Sequence, residues 1–171
     1  VNYYPLWRDG IVMQLGSARD RIPLGDDVPV DWSAVFRLSN APVAYCWCPS
    51  GPEQFRTQVF LEKAGYEIRQ QIVWVKDVAP LSRSAYHWKH ESCWYAVKKN
   101  MKAPWHAGRD QVTVWEAASP INIFGGSKEI ATIHPTQKPV ELFAIPIRNH
   151  TRDGEWCYEP FAGSGTQVIA A

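Results

Sequence analysis

The chain has 171 residues, a length at which one domain with a sizeable core is the default expectation. Hydrophobic residues make up 46% and charged residues 20%, which excludes a disordered chain. No apolar run reaches the ~20 residues that a membrane-spanning helix needs, and the first residues lack a basic-then-apolar signal pattern. We therefore expect a cytoplasmic protein with no membrane partner. The net charge of +1 excludes a polyanion-binding surface spread over the whole chain.

The four cysteines are too few and too scattered to predict a disulfide framework. Cys46 and Cys48 share one face of a predicted strand, which leaves a metal pair open as an alternative. Buried thiols are the favoured interpretation, and we predict no metal site.

The first half of the chain alternates helix and strand. Residues 31–38 have helical apolar spacing with Asp31 as N-cap, and residues 43–48 form a short apolar run typical of a buried strand. An amphipathic helix is predicted over 53–64, and a strand over 66–75. The helix is expected to bury Phe55, Val59, Phe60 and Ala64, and to end at Gly65. Strand, helix and strand in this order predict a parallel crossover and an α/β fold.

The second half is less regular. Residues 90–97 predict a strand that pairs antiparallel with 72–75, whereas 99–132 is irregular and is a candidate recognition insert. A helix is predicted over 139–149, with Pro146 as an internal irregularity. Bulky residues at 156–158 predict a buried final strand.

A glycine turn follows that strand. Glu159 stands at its carboxyl end, and Pro160 stops ladder pairing because it has no N–H. Gly163 and Gly165 permit a sharp turn and a close ligand approach. A helix begins near residue 167, capped by Ser164 or Thr166. Strand, glycine turn and helix together predict a site for a nucleotide-type ligand.

The middle of the chain is locally basic. Residues 76–109 hold seven Lys or Arg against two acidic residues, interleaved with aromatic residues. Such a mixture suits phosphate contact together with base stacking, while a solvated edge around an aromatic core is the alternative. The predicted nucleic-acid contacts are Arg83, Lys89, Lys98, Lys99, Lys102 and Arg109.

Two motifs carry a family resemblance: His-Pro-Thr-Gln-Lys-Pro at 134–139 and Tyr-Glu-Pro-Phe-Ala-Gly-Ser-Gly-Thr at 158–166. Together they resemble the DNA amino-methyltransferases, in the permuted β-class order and of the phage and prophage type. Glu159 stands where the family usually has Asp, which keeps the carboxylate. The resemblance implies a Rossmann-like methyltransferase fold, with a mixed, mostly parallel sheet, helices on both faces and an incomplete outline, as one domain over 1–171.

The resemblance also implies the cofactor S-adenosylmethionine and double-stranded DNA as partner. Its motifs place nine residues at the cofactor: Thr136, Gln137, Lys138, Glu159, Phe161, Gly163, Ser164, Gly165 and Thr166. Residues 108–116 would help to recognise DNA. The target-base pocket would be formed by Tyr86, His87, Trp88, His90, Glu91 and Trp94.

Stacking explains the aromatic part of that pocket. An enzyme that alkylates an exocyclic base nitrogen must flip the base out of the duplex and hold it. Tyr86, Trp88 and Trp94 are candidates for the stacking face, whereas His87, His90 and Glu91 would orient the base edge or tie the segment to the cofactor wall. The spacing lacks the two His at i and i+4 that zinc proteases use.

The family's catalytic tetrapeptide, (Asp/Asn/Ser)-Pro-Pro-(Tyr/Phe/Trp), is absent from the sequence. We expect it just before Val1, and we expect the 171-residue chain alone to be inactive. Methylation of adenine N6 is favoured over cytosine N4. A catalytically defective DNA-binding remnant and an RNA methyltransferase are alternatives. The sequence leaves the oligomeric state open, with a homodimer possible.

Overall fold

A sheet of four strands forms the centre of the part of the protein that a computed structural model describes, residues 32–80, 84–120, 137–161 and 165–171. The order across the sheet is first, third, second and fourth strand. The strands are β1 (Val43–Cys48), β2 (Tyr66–Val75), β3 (His90–Lys98) and β4 (Val114–Glu116).

The sheet is mixed. β3 lies between β1 and β2 and runs antiparallel to both, while β4 runs parallel to β2. Three of the four described strands therefore point the same way, and β3 is the exception. The predicted pairing of 90–97 with 72–75 is confirmed, with Ile72 opposite Cys93 and Val75 opposite His90.

Helices lie on both faces of this sheet. On one face Phe36, Leu61 and Ala64 pack against Tyr66 and Ala96. On the other face Leu142 packs with Ile72, Trp74, Cys93 and Trp115. The helices are α1 (Ser33–Arg37), α2 (Gln54–Lys63), α3 (Glu141–His150) and α4 (Thr166–Ala170).

A register shift between Ile68 and Gln70 lets β2 contribute buried side chains to the cores on both faces of the sheet. Simple alternation would put Tyr66 and Trp74 on the same face. The extra residue reverses the alternation, so Tyr66 and Ile68 face α2, whereas Ile72 and Trp74 face α3.

The predicted helix over 53–64 forms as Gln54–Lys63, and Ala64 is buried as expected, but the rest of the buried face was predicted wrongly. Phe55 and Val59 are 63% and 45% exposed, whereas Thr57, Leu61 and Ala64 are buried. Packing against the sheet selects the Thr57–Leu61–Ala64 side, where Leu61 and Ala64 form a core cluster with Tyr66 and Ala96. Gly65 ends the helix with φ of 86°, as expected for a C′ glycine.

Two further predictions need correction. Residues 99–132 are not wholly irregular, since Val114–Glu116 forms β4. Residues 156–158 form no strand, and Trp156 and Tyr158 are 95% and 47% exposed. An apolar run becomes a buried strand only where neighbouring strands supply its hydrogen bonds, and no described residue pairs with this segment.

The two C-terminal helices begin near their predicted positions. α3 contains Pro146, as expected, and packs beside α4. Gly165, with φ of 75°, is the N-cap of α4, so the proposed cap by Thr166 is corrected, while Ser164 lies outside the described residues. Trp32 is the N-cap of α1, which corrects the predicted cap at Asp31. None of the helices in the described part of the chain is long and apolar enough to cross a membrane.

Candidate functional site at the carboxyl end of the sheet

The carboxyl ends of three strands meet at one end of the sheet. Cys48 ends β1, Val75 ends β2 and Glu116 ends β4, and the pairing places the start of β3 beside them. Ligands of open α/β sheets bind at this end of the strands. The first residues of β3, which belong to the predicted base pocket, therefore lie where a ligand is expected.

A buried group of three charges, the Lys76–Glu91–Lys138 triad, lies at this end. Lys76 Nζ is 2.6 Å from one carboxylate oxygen of Glu91, and Lys138 Nζ is 2.9 Å from the other. The three side chains are only 14%, 13% and 5% exposed. The triad joins the end of β2, the start of β3 and the segment before α3.

Two indole rings lie beneath the triad. Lys76 Nζ is 5.3 Å from the ring centre of Trp74, and Lys138 Nζ is 5.8 Å from that of Trp47. The two rings meet edge to face, with centres 6.5 Å apart. Cation–π contact of this kind stabilises a partly desolvated ammonium group by roughly 0.5–2 kcal/mol.

The triad fixes the charge of Glu91. Burial alone would raise the pKa of the Glu91 carboxyl, but the ammonium groups of Lys138 and Lys76 outweigh it and lower the pKa to about 2. Glu91 is thus a carboxylate at any physiological pH. The nearby Cys48 thiol has a pKa raised to about 12 by burial, which Lys138 partly opposes and Glu91 reinforces, so it stays protonated.

The predicted base-stacking residues divide into two groups. Tyr86 and Trp88 are 87% and 51% exposed, and the Trp88 ring lies against Gly51 and edge to face with His90 at 5.3 Å. A Cβ on Gly51 would stand 3.5 Å from that ring, and the φ of 92° there favours glycine. His87 is likewise exposed in this segment.

Trp94 does not belong with them, which corrects its predicted role. Strand alternation turns its side chain toward α2, where it packs beside Leu61 and Tyr66. Its indole N–H donates to the backbone oxygen of Gln54 at 3.2 Å. Trp94 therefore holds α2 on the sheet.

The described part of the predicted cofactor loop packs against α1. The Phe161 ring lies edge to face with Trp32 at 5.6 Å and with Phe36 at 6.5 Å. The Phe161 N–H donates to the Glu159 carboxylate at 2.7 Å. Burial raises the pKa of Glu159, although the residue as a whole is exposed; hydrogen bonds from Phe161 and Gln167 oppose the shift.

Of the other predicted cofactor residues, four lie in the described part of the chain. Gln137 and Lys138 are buried, as is Thr166, and a Cβ added at Gly165 would meet no atom within 4 Å. Thr136, Gly163 and Ser164 lie outside the described residues.

Two of the predicted nucleic-acid contacts, Lys89 and Lys98, lie at opposite ends of β3. Lys89 is exposed directly before β3, whereas Lys98 ends β3, about 27 Å away along a strand of nine residues. The Lys98 ammonium group donates to Ser39 O at 2.6 Å and Asn40 Oδ1 at 3.3 Å, and lies over the Tyr66 ring. Lys99 follows Lys98 directly and is exposed, as are Lys102 and Arg109, whereas Arg83 lies outside the described residues.

The segment 101–113 is attached to the end of α3. The His106 N–H donates to Asn149 O at 2.8 Å, and the Asn149 side chain donates to Gln111 Oε1 at 3.3 Å. The His150 Nδ1–H donates to Pro104 O, which leaves Nε2 to accept from the Tyr45 hydroxyl at 2.9 Å. Burial lowers the pKa of His150, a shift that the Pro104 carbonyl opposes.

Sequence reasoning did not single out Lys76 and Trp47 as site residues. A lysine directly after the apolar run 72–75 was the available signal, because a strand end at this edge of an α/β sheet is a ligand position. In the described residues, no group of three or more His, Cys, Asp and Glu side chains is arranged to hold a metal ion.

Comparison with known proteins identifies the class to which this fold and site belong. Residues 28–171 match the family described as DNA methylase, of the N6/N4 type, and the chain belongs to that family of DNA amino-methyltransferases. The fold is accordingly part of a Rossmann-like methyltransferase domain.

Individual relatives are more distant. The type II methyltransferase M2.LlaDCHI of Lactococcus lactis subsp. cremoris is 25% identical over 153 residues, covering 82% of this chain and 55% of the relative. For M2.DpnII of Streptococcus pneumoniae the identity is 28% over 123 residues, covering 65% and 44%. The chain thus spans about half the length of these curated relatives. The crystal structure of an M1.HpyAVI–SAM complex superposes with a TM-score of 0.61 at 22% identity, covering 97% of this chain and 80% of that one.

Proposed function

We propose that the protein transfers a methyl group from S-adenosylmethionine to an exocyclic amino group in double-stranded DNA, with adenine N6 favoured over cytosine N4. Membership of the N6/N4 family supports the reaction class. The cofactor is supported by a solved structure of similar fold described as a SAM complex. The DNA substrate is supported by the description of the family, DNA methylase.

The observation that carries the proposal is the ion pair between Lys138 and Glu91. Lys138 belongs to the motif that the family resemblance places at the cofactor, and Glu91 to the motif that it places at the target base. Because the pair is buried and only 2.9 Å long, the two motifs share one end of the sheet. Methyl transfer needs donor and acceptor in near-contact, which this arrangement allows.

The described residues fit the proposed cofactor. Gly165 leaves open space where a side chain would stand, and Phe161 offers an aromatic edge held by Trp32. The Glu159 carboxylate, fixed by the Phe161 N–H, is available to a ligand hydroxyl or ammonium group. When bound, S-adenosylmethionine supplies an electrophilic methyl group on sulfur, so the protein needs no metal and no covalent link to the base.

The target base would stack on Tyr86 and Trp88. Both rings are largely exposed in the segment before β3, and Trp88 is fixed by contact with Gly51 and His90. Base–aromatic stacking contributes about 1–3 kcal/mol per base. That energy offsets part of the cost of flipping the base out of the duplex.

The test is a transfer assay with a chain that includes the tetrapeptide expected before Val1, methyl-labelled cofactor and either duplex DNA, single-stranded DNA or RNA. The 171-residue chain alone is expected to give no label. Labelling of duplex DNA alone, with N6-methyladenine found by nucleoside mass spectrometry, is the expected result. Labelling of RNA alone would contradict the proposal, and duplex binding without turnover would favour a catalytically defective remnant.

A pair of tryptophan variants tests the stacking role. Trp88→Ala should weaken duplex binding by about 1–3 kcal/mol, because the flipped base loses its platform. Trp156→Ala removes another exposed indole, 95% exposed, and serves as the matched control with no expected change. Equal losses in both variants would argue against a base platform at Trp88.

A further inference from the structure

The helix α2 carries apolar side chains on two faces. Leu61 and Ala64 pack with the sheet, whereas Phe55 and Val59 are 63% and 45% exposed. Because Phe55 and Val59 are four residues apart, their side chains lie on one face of the helix. A surface helix of a monomer normally has a single apolar face, which it turns toward the core. The second apolar face of α2 therefore indicates an interaction surface.

Charged side chains border this second face. At about 100° per residue, Val59 lies at its centre, with Phe55 and Glu62 on one side and Arg56 and Lys63 on the other. All five residues are exposed, and we define them as the outer face of α2. The outer face thus has an apolar centre, one positive edge and one edge that carries a carboxylate.

We propose that the outer face of α2 is a dimerisation surface whose partner is the same face of a second copy of the chain. The two α2 helices run parallel about a twofold axis, so that the same patch of both copies is buried. Val59 then contacts its own counterpart in the second copy. Glu62 of each copy faces Lys63 of the other, and Arg56 of each copy faces the Phe55 ring of the other.

The distribution of charge selects the parallel arrangement. Parallel helices bring opposite edges of the two outer faces together, which pairs the carboxylate of Glu62 with the ammonium group of Lys63. Antiparallel helices would bring the same edge of both copies together and set Arg56 against Lys63. Like charges placed opposite each other weaken an interface. The outer face is therefore complementary to itself only when the helices are parallel.

The charged groups of the outer face have capacity for these contacts. Gln58 donates to only one carboxylate oxygen of Glu62, at 2.8 Å. The pair between Arg56 and Glu53 joins Nε to a carboxylate oxygen at 3.3 Å, which leaves the two terminal nitrogens of the guanidinium group available. These contacts lie within one exposed helix, so they hold the side chains loosely and do not prevent new contacts.

A nucleic acid fits the outer face less well than a second copy of the chain. Nucleic acids are bound through phosphate groups, which positive side chains neutralise. The centre of the outer face is apolar, and the carboxylates of Glu53 and Glu62 flank it and would repel phosphates. The apolar centre favours a protein partner, and the self-complementary charges favour a second copy.

The parallel arrangement would place the ligand ends of both sheets on one side of the dimer. α2 begins just after the turn at Gly51, which supports the Trp88 ring at the carboxyl end of the sheet. Parallel α2 helices therefore direct both sheets, and both Trp88 rings, the same way. A duplex with a palindromic sequence presents the same features to both copies, because its symmetry matches that of the dimer.

Sedimentation velocity of the intact protein over a range of concentrations measures the dimerisation. Two helices of ten residues offer less than the ~1,200 Å² typical of stable interfaces, so we expect a reversible dimer with a Kd in the micromolar range. Val59→Glu should weaken it by more than about tenfold, because two carboxylates would meet at the twofold axis. Val112→Glu is the matched control, since Val112 is 66% exposed outside α2, and it should leave the Kd unchanged.

Charge reversal tests the pairing within the interface. Glu62→Lys and Lys63→Glu should each weaken dimerisation by about tenfold, because each sets two like-charged pairs against each other. The double variant restores opposite charges and should recover most of the affinity. Glu67→Lys reverses a charge in the exposed pair with Arg69 on β2, at 3.0 Å, and should have no effect.

Several outcomes would overturn the inference. One is a protein that stays monomeric at all concentrations. Another is a dimer that Val59→Glu leaves unchanged or, should circular dichroism show that variant unfolded, that Val59→Ser leaves unchanged. A monomer that Val59→Glu destabilises would show that another part of the same chain covers the outer face. Stronger dimerisation of Lys63→Glu would indicate antiparallel helices and contradict the proposed arrangement.

Discussion

Lys138 and Lys98 lie at opposite ends of the sheet, and their ammonium groups are stabilised in different ways. Each ammonium group lies over an aromatic ring, Trp47 for Lys138 and Tyr66 for Lys98. Lys98 donates to neutral oxygens of Ser39 and Asn40, whereas Lys138 pairs with a carboxylate that it shares with a second lysine. The Lys98 arrangement ties the end of β3 to the loop before β1. The Lys138 arrangement concentrates charge at the end of the sheet where a ligand is expected. An ammonium group over an aromatic ring therefore does not by itself indicate function, but the charge of its partners does.

Glu91→Gln should lower the free energy of unfolding more than any other change considered, and so distinguish the two ends of the sheet most clearly. The substitution leaves two buried ammonium groups near each other without a counter-charge, and losses of about 3–5 kcal/mol are typical when one partner of a buried pair is removed. Urea unfolding at pH 7 measures the change. Glu67→Gln, in an exposed pair with Arg69, should cost less than about 1 kcal/mol and is the control. A loss at Glu91 no larger than at Glu67 would contradict the comparison.

Acid should act on the triad and leave the Lys98 end unaffected. The folded-state pKa of Glu91, about 2, lies below its ordinary value of 4.5, so the unfolded chain binds the proton more readily. The stabilisation is present above pH 4.5 and is lost as pH falls from 4.5 toward 2, by about 3 kcal/mol in all. Unfolding free energies across this range, compared with those of Glu91→Gln, measure it. The variant should lack this part of the pH dependence, and identical slopes would refute the assignment.

Lys98→Met should have a smaller effect. Hydrogen bonds from a charged donor contribute about 1.5–3 kcal/mol, and retained packing over Tyr66 should reduce the loss to about 1–2 kcal/mol. Cofactor affinity should be unchanged. The affinity of Lys98→Met for duplex DNA should also be measured. A tenfold loss of that affinity would support Lys98 as a DNA contact, as the sequence predicted.

The smallest effect is expected at His150, whose ring bonds only to neutral groups. Its pKa is lowered by burial, so the unfolded chain protonates first as pH falls below the ordinary value of 6.5. Stability should be complete above that value and should decrease by less than about 1 kcal/mol between pH 7 and pH 5.5. His150→Gln should flatten the profile over this interval. A profile that stays equally steep would assign the effect to another group.

The sequence was sufficient where structure is local. The bounds of β2 and the antiparallel pairing of β3 with β2 followed from two apolar runs that are consecutive in the chain. β4 escaped prediction because its three residues gain their strand geometry only from parallel pairing with β2, far away in sequence. The same limit applies to Trp156, where bulky residues predicted a strand that no described neighbour completes.

The site was predictable as motifs but not as geometry. The two motifs named Lys138 and Glu91 separately, and one alternative for Glu91 was a tie to the cofactor wall; the structure joins the two residues. Lys76 lies outside both motifs, and only the shared carboxylate reveals it. Trp94 was assigned to the base because sequence order does not show which side of a strand faces which helix.

The attachment of segment 101–113 to the end of α3 sets a rule for engineering. Asn149 and His150 hold this segment through His106, Gln111 and Pro104, from a helix that lies far along the chain. A chimera that imports the segment from a relative without the matching helix end would leave it with no anchor. Recombination of such proteins should therefore succeed only when segment 101–113 and the end of α3 are exchanged together.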